Sequence, residues 1–349
     1  MRIVIRSLVV LVAAAVGIIG STPVHGAALT CKATKYFEDG GFLTARMINP
    51  ATAVSGDVNA KGCDIGVYFG PKSKGAVSQA DIHGATYYGV LNNGGTVSLT
   101  DSAVHDIGDD PFDGASHGRG VMTVAPKPQT ASMTLSDDTI YRFQWSGVVF
   151  RGPGVTGHIG SSSVLGFGPT DFTTQYGIRF QNGATGSATD NYVSGFSYTG
   201  SEEYVVSGIS AEGGCGQLLS KKVIISHNLI EGSDIGINLS NGNAACTAAP
   251  SVATADVASH NTIIDDAVTN VDGCVVAYGC TECKKTQTVC PYQAGISDFG
   301  NADQMNFNRI IGVGYTPVSS PPPVLVCIDT SINASGIHAV VQHNTCPKA

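Results

Sequence analysis

The sequence predicts an all-β protein wound as a solenoid of stacked parallel coils, about eight of them. Three observations predict it. A Gly followed by an aliphatic residue recurs at Gly89-Val90, Gly120-Val121, Gly147-Val148, Gly177-Ile178, Gly208-Ile209 and Gly236-Ile237, in steps of 31, 27, 30, 31 and 28 residues. A polar residue leading into alternating β-formers precedes most copies, at Asp138-Thr139-Ile140, Asn191-Tyr192-Val193, Asn228-Leu229-Ile230, Asn261-Thr262-Ile263 and Asn308-Arg309-Ile310. Only 13% of residues are charged while 44 are Gly, poor material for solvated helices but ample for turns.

A unit of some 30 residues with short apolar runs cannot bury its own hydrophobic side, whereas stacked units bury a continuous core. Each strand then pairs in parallel with its equivalents above and below. Less regular copies at Gly273-Cys274, Gly295-Ile296 and Gly336-Ile337 imply inserted loops. A β-propeller blade is of similar length but needs four strands, and this unit offers two or three. Asn at the corners is expected to tolerate left-handed backbone, and stacked amides to bond along the rod.

Residues 1–28 read as a secretory signal: Arg2 and Arg6, an apolar run from Leu8 to Ile19, then small residues. Twelve helical residues cover roughly 18 Å against a hydrocarbon core of about 30 Å, too short for a span. Export sets a secreted or periplasmic location and an oxidising environment for the ten cysteines. Cys31 with Cys63, Cys215 with Cys246, and Cys327 with Cys346 are the economical disulfides. Cys274, Cys280, Cys283 and Cys290 cluster in a loop inserted at 274–290, where disulfides are favoured over zinc. Residues 29–74 form an N-terminal segment and cap, and 75–349 the solenoid. A net charge of −8 excludes a nucleic-acid partner, which requires a basic footprint.

Asp190-Asn191-Tyr192-Val193-Ser194-Gly195 with Ser207-Gly208-Ile209-Ser210, and Ser226-His227-Asn228-Leu229-Ile230-Glu231-Gly232 with Asp234-Ile235-Gly236-Ile237-Asn238-Leu239, resemble repeats of the right-handed parallel β-helix (pectate-lyase-like) superfamily. The resemblance covers roughly residues 75 to 345. His105 to Ile209 further resembles a group of secreted bacterial β-helix proteins of unestablished activity. It implies a right-handed parallel β-helix and a polysaccharide or cell-surface glycan as partner, without choosing among lyases, hydrolases, epimerases and noncatalytic rods. Gly108-Asp109-Asp110 and Ser116-His117-Gly118 are similar to polygalacturonase motifs, but here both lie in one loop. Asp110-Pro111-Phe112-Asp113 is similar to an alginate-epimerase motif with Phe in place of its His. Neither the calcium-binding nor the arginine signature of pectate lyases is recognisable, and no catalytic residue is transferred.

Alignment on the glycines assigns side-chain directions by strand alternation. Val121, Val148, Ile178, Ile209 and Ile237 point inward, as do Thr123, Phe150, Phe180, Ala211 and Leu239. Arg151 and Arg179 then share an outer face, with His117, Arg119, Gln144, Trp145, Gln175 and Tyr176 just ahead of the glycines. As a binding patch, Arg119, Trp145, Arg151, Gln175 and Arg179 suit a sugar acid, the rings stacking and the guanidinium forking a carboxylate; alternatively some of these residues only close turns. The loop from Gly108 to Arg119 gathers Asp109, Asp110, Asp113 and His117, a group able to divide acid and base roles. The alternatives are a Pro turn with self-capping Asp residues, or a calcium loop, calcium being the one cofactor the sequence has a place for.

Three functional readings follow. In a lyase or epimerase on an acidic glycan, Arg151 and Arg179 neutralise the carboxylate while Tyr176 or His117 removes the C5 proton. In an inverting hydrolase, two loop carboxylates such as Asp110 and Asp113 stand about 6.5 to 9.5 Å apart. In the third, the rod binds glycan or serves as a surface structure without catalysis.

Overall fold

The computed structural model describes residues 30–200, 206–245, 247–269, 292–317, 324–330 and 338–348. The signal segment, the 274–290 loop, Gly273-Cys274 and Gly336-Ile337 lie outside the described residues. Within them the chain is all-β, with no α-helix, one 3-10 turn at Val313–Tyr315, and no helix long and apolar enough to cross a membrane.

Two long sheets, of 11 and 17 strands, carry the fold, and both are parallel except where the N-terminal hairpin of Lys32–Glu38 and Gly41–Ile48 joins the first. The expected register is borne out. Val90, Val121, Val148, Ile178, Ile209, Ile237 and Ile296 pair in sequence across the first sheet. All are fully buried, as are Thr123, Phe150, Phe180, Ala211 and Leu239 two positions on. Ile237 pairs directly with Ile296. The parallel stack already includes Val54–Asn59 and Ile65–Phe69, ahead of residue 75. The second sheet runs as two ladders, so a repeat holds three strands, for example Ser146–Arg151, Val155–Gly160 and Ser163–Thr170. This arrangement fits a parallel β-helix.

The recurring glycine is required by close approach rather than by a left-handed backbone. A Cβ on Gly147 would stand 2.3 Å from Val164 Cγ1, and one on Gly120 would stand 2.7 Å from the Gly147 carbonyl oxygen. Neither contact is physically tolerable, so the interior admits only glycine there.

At the corner between the second and third strands, the expectation about asparagine is right in one part and corrected in the other. Asn191 donates its backbone N–H (3.0 Å) and its side-chain amide (2.9 Å) to Asn228 Oδ1. The same two bonds link Asn228 to Asn261, Asn261 to Asn308, and Asn308 to Asn344. Each amide's other hydrogen goes to a backbone carbonyl, of Ile159, Ala188, Ile225 and Ala258 in turn. Ser162, Asp138 and Ser102 continue the chain of acceptors towards the N-terminus. The left-handed residue is the one before: Asp137, Ser161, Asp190, His227, His260, Phe307 and His343 all have φ between 50° and 59°. Four of these carry exposed rings, and His227, His260, Phe307 and His343 stack at 4.9, 5.0 and 4.8 Å, the strand spacing itself.

Both ends of the stack are tied by disulfides, Cys31–Cys63 and Cys327–Cys346, as the spacing suggested. Cys215 is also disulfide-bonded. Towards the C-terminus the interior turns polar. Asp303 accepts from the Asp256 backbone N–H (2.7 Å) and the Thr254 hydroxyl (2.7 Å), and Asp256 accepts from the Val223 N–H (2.8 Å) and the Asn241 amide (2.9 Å). Burial pushes these carboxyls up, Asp256 to about 8 and Asp303 to about 9. Burial likewise raises Asp138, Asp234 and Asp265 to about 7.

Two outcomes follow. Asn228→Ala orphans the Asn191 donors and the Ala188 carbonyl, and equilibrium denaturation should show a loss of about 2–4 kcal/mol. Carboxyls raised in the folded state from roughly 3.9 bind protons that the unfolded chain has released. Their contribution is therefore complete near pH 4 and lost as pH rises towards 9. Thermal scans should show the midpoint falling across that window; a midpoint rising from pH 5 to 8 would contradict the buried acids.

Candidate functional site

Residues entering the first sheet come from loops of very different length. Residues 108–118 precede strand Arg119–Val124, Gln144 and Trp145 precede Ser146–Arg151, and 171–175 precede Tyr176–Gln181. The entry points stack through the backbone: Trp145 N–H donates to Gly118 O (2.9 Å) and Tyr176 N–H to Trp145 O (3.0 Å).

Two buried glutamines hold the loops. Gln144 Oε1 accepts from the Asp109 N–H (3.1 Å) and Asp113 N–H (3.3 Å), while its amide donates to Asp109 Oδ2 (3.0 Å), Asp113 Oδ1 (3.3 Å) and Ala115 O (3.0 Å). Gln175 accepts from the Phe167 N–H (2.7 Å) and donates to the Phe143 carbonyl. Gln175, expected to touch substrate, is thus a loop brace.

Across the sheet's outer face Arg119, Trp145 and Arg179 of the expected patch come together with Tyr88 and Tyr176 as one stack of rings and guanidinium groups, without Arg151 or Gln175. The Arg119 guanidinium carbon lies 5.5 Å from the Tyr88 ring centroid and 4.2 Å from that of Trp145, and Arg179 lies 5.6 Å from Trp145 and 3.8 Å from Tyr176. Such contacts strengthen where water is excluded. Both cations are also neutralised. Arg119 stands 3.7 Å from Glu38 and donates to Tyr88 Oη and Ser116 O (3.2 Å each); burial pulls its pKa down. Arg179, 9% exposed, forks Glu212 through Nε (3.0 Å) and Nη2 (2.7 Å). Burial acts to raise the Glu212 carboxyl, but the facing guanidinium outweighs it and holds the group below the usual range.

The sequence could not show this pairing, because Glu38 arrives on the N-terminal hairpin and Glu212 from a neighbouring repeat. The same hairpin explains a second departure. Tyr68, Leu91, Met122 and Val149 occupy outward positions yet are buried, packed with Leu43, Ala45 and Tyr36. Of the three arginines expected to face a ligand, only Arg151 is exposed without an acidic partner among the described residues.

The loop from 108 to 118 divides two clefts. One, of about 590 Å³, is lined by Lys61, His83, Asp106, Asp109, Asp110, Phe112 and Arg142. The other, of about 420 Å³, is lined by Gly114, Ser116, Trp145, Asp171, Phe172, Thr173, Thr174, Tyr176, Arg179 and Tyr198. Asp110 is exposed and 3.4 Å from Lys61. Asp113 accepts from the Ala115 N–H (2.9 Å), which lowers its pKa, in keeping with a self-capping turn. His117 stacks on Tyr87 at 4.5 Å, and its Nε2 lies 2.7 Å from Asp109 Oδ2, off the hydrogen-bond axis. Asp110 and Tyr176 therefore line different clefts, and His117 lines neither. Among the described residues no group of three His, Cys, Asp or Glu side chains could hold a metal ion, so the calcium alternative gains no ligand set.

Sequence analysis missed one cluster here. His105 lies between Asp106 (2.6 Å) and Asp81 (2.8 Å), with its ring stacked between His83 at 5.2 Å and Tyr141 at 4.7 Å. Register brings these rings together, and their shared position after an aliphatic residue was the available signal. No family model, curated protein or solved structure matches the chain.

Removing Arg179 leaves the half-buried Glu212 without its cation. Arg179→Ala should cost about 3–5 kcal/mol in denaturant unfolding, whereas the double variant Arg179→Met, Glu212→Leu should recover most of that loss. An Arg179→Ala protein as stable as wild type would show that the pair is dispensable to the fold.

Proposed function

We propose that the protein is a secreted or periplasmic right-handed parallel β-helix of the pectate-lyase-like type that binds a polysaccharide in the cleft between Trp145 and Tyr176. One observation carries the reading: the half-buried rings of Trp145 and Tyr176 line a cleft of about 420 Å³ and are held by buried guanidinium groups. Stacking of a flat ring against a pyranose needs an immobile platform, and here the stack leaves neither ring free to turn. Thr174, Ser116 and Asp171 at the rim supply polar partners for hydroxyl groups. Pockets of this size with a few convergent polar groups are ordinary ligand sites.

The reading is of a binding rod rather than an enzyme. Asp110 and Tyr176 line different clefts while His117 lines neither, and of the two arginines assigned to a uronate Arg179 is paired with Glu212 and Arg151 lines neither cleft. The disulfides at both ends support a location outside the cytoplasm.

Trp145 is the single Trp of the chain, so intrinsic fluorescence reports on this cleft alone. Titration with soluble polysaccharides should perturb the emission, and Tyr176→Ala should weaken binding about tenfold without changing the circular dichroism. Unsaturated, ultraviolet-absorbing products would convert the reading to a lyase, and new reducing ends without them to a hydrolase.

A further inference from the structure

Charge decides which polysaccharide the cleft can hold. Among the described residues its lining contains two charged side chains, Asp171 and Arg179. Arg179 is cancelled by Glu212 at 2.7 Å. Asp171 is exposed and makes no ion pair or side-chain hydrogen bond among the described residues. Arg151 offers no remedy, since it is not among the residues that line the cleft. The cleft thus presents two half-buried aromatic side chains and one uncompensated carboxylate. A uronate chain would bring a second negative charge to that carboxylate. An ammonium group would instead gain by ion pairing with the carboxylate.

We infer that the ligand is an amino-bearing glycan, a chain of 2-amino sugars with free amines, lying in the cleft lined by Trp145 and Tyr176 with an ammonium group against Asp171. The inference rests on the glycan reading above and narrows it. It assigns Asp171 as the residue that selects for charge, a role that neither the repeat pattern nor the loop motifs suggested.

The test follows Trp145 emission in the full-length exported protein at pH 6 with three probes: glucosamine oligomers, the same oligomers N-acetylated, and oligogalacturonate. The expected result is saturable quenching by the glucosamine oligomer and at least tenfold weaker binding of the acetylated chain, the scale of a charge-assisted contact. Asp171→Asn should remove that preference by weakening the amine-bearing chain alone, with thermal unfolding unchanged because the side chain is exposed. Equal binding of the first two probes, or retention of the preference in Asp171→Asn, overturns the amine assignment while leaving the glycan reading in place. Tighter binding of oligogalacturonate overturns it in favour of an acidic ligand. No response to any probe removes the glycan reading itself.

Discussion

The fold depends on satisfying backbone donors at a corner that is shut away from water. Where the chain turns between the second and third strand of each repeat, an interior N–H has no ladder partner, and leaving it unpaired would cost about 1–3 kcal/mol per repeat. The Asn side chain solves this for its neighbour rather than for itself: its carbonyl oxygen accepts from the repeat before it, and its amide hydrogens go to a neighbouring carbonyl and to the next Asn oxygen. The solution therefore exists only in series. It also fixes the register, because a slip of one residue would break two bonds at every step. Ser102, Asp138 and Ser162 show how far the rule bends, since any short side chain with an acceptor serves.

A ladder made in series is weakest at its ends, where the last member lacks a partner. The chain ties both ends covalently, and at the N-terminal end it adds an antiparallel hairpin. That hairpin does more than cap. By laying Leu43, Tyr36 and Glu38 over the outer face of the first sheet, it converts an exposed surface into a second small core and supplies the carboxylate that fixes Arg119. Stability and site geometry are therefore coupled, because the stack of rings and guanidinium groups begins on the element that closes the rod.

Periodicity made the repeats legible. The inward columns of Val148, Ile178, Ile209 and Ile237, the parallel pairing and two of the disulfides follow from intervals along the chain, since stacking turns a sequence interval into a spatial contact. Pairings that cross the period were not legible. Glu38 reaches Arg119 from a segment with no repeat, and Glu212 reaches Arg179 from an outward position whose partner could equally have been water. The corner misread has the same origin: Asn is a residue type that tolerates left-handed backbone, but the interior needs its amide more, and the left-handed conformation passes to His227, His260 and even Phe307.

The paired arginines also bear on what the molecule can do. A guanidinium that will stabilise charge appearing in a reaction must be free of a permanent anion, because a carboxylate already present at 2.7 Å removes most of the field the reaction would use. Arg119 and Arg179 fail that requirement, and they meet a different one. Held flat by acid partners and by each other's rings, they keep Trp145 and Tyr176 fixed at the cleft wall. Rings fixed in advance surrender little conformational freedom when a ligand arrives, so each contact retains more of its value. On the proposed reading the arrangement serves recognition, buried charge providing rigidity, and selection passes to Asp171, the carboxylate among the described lining residues of the cleft.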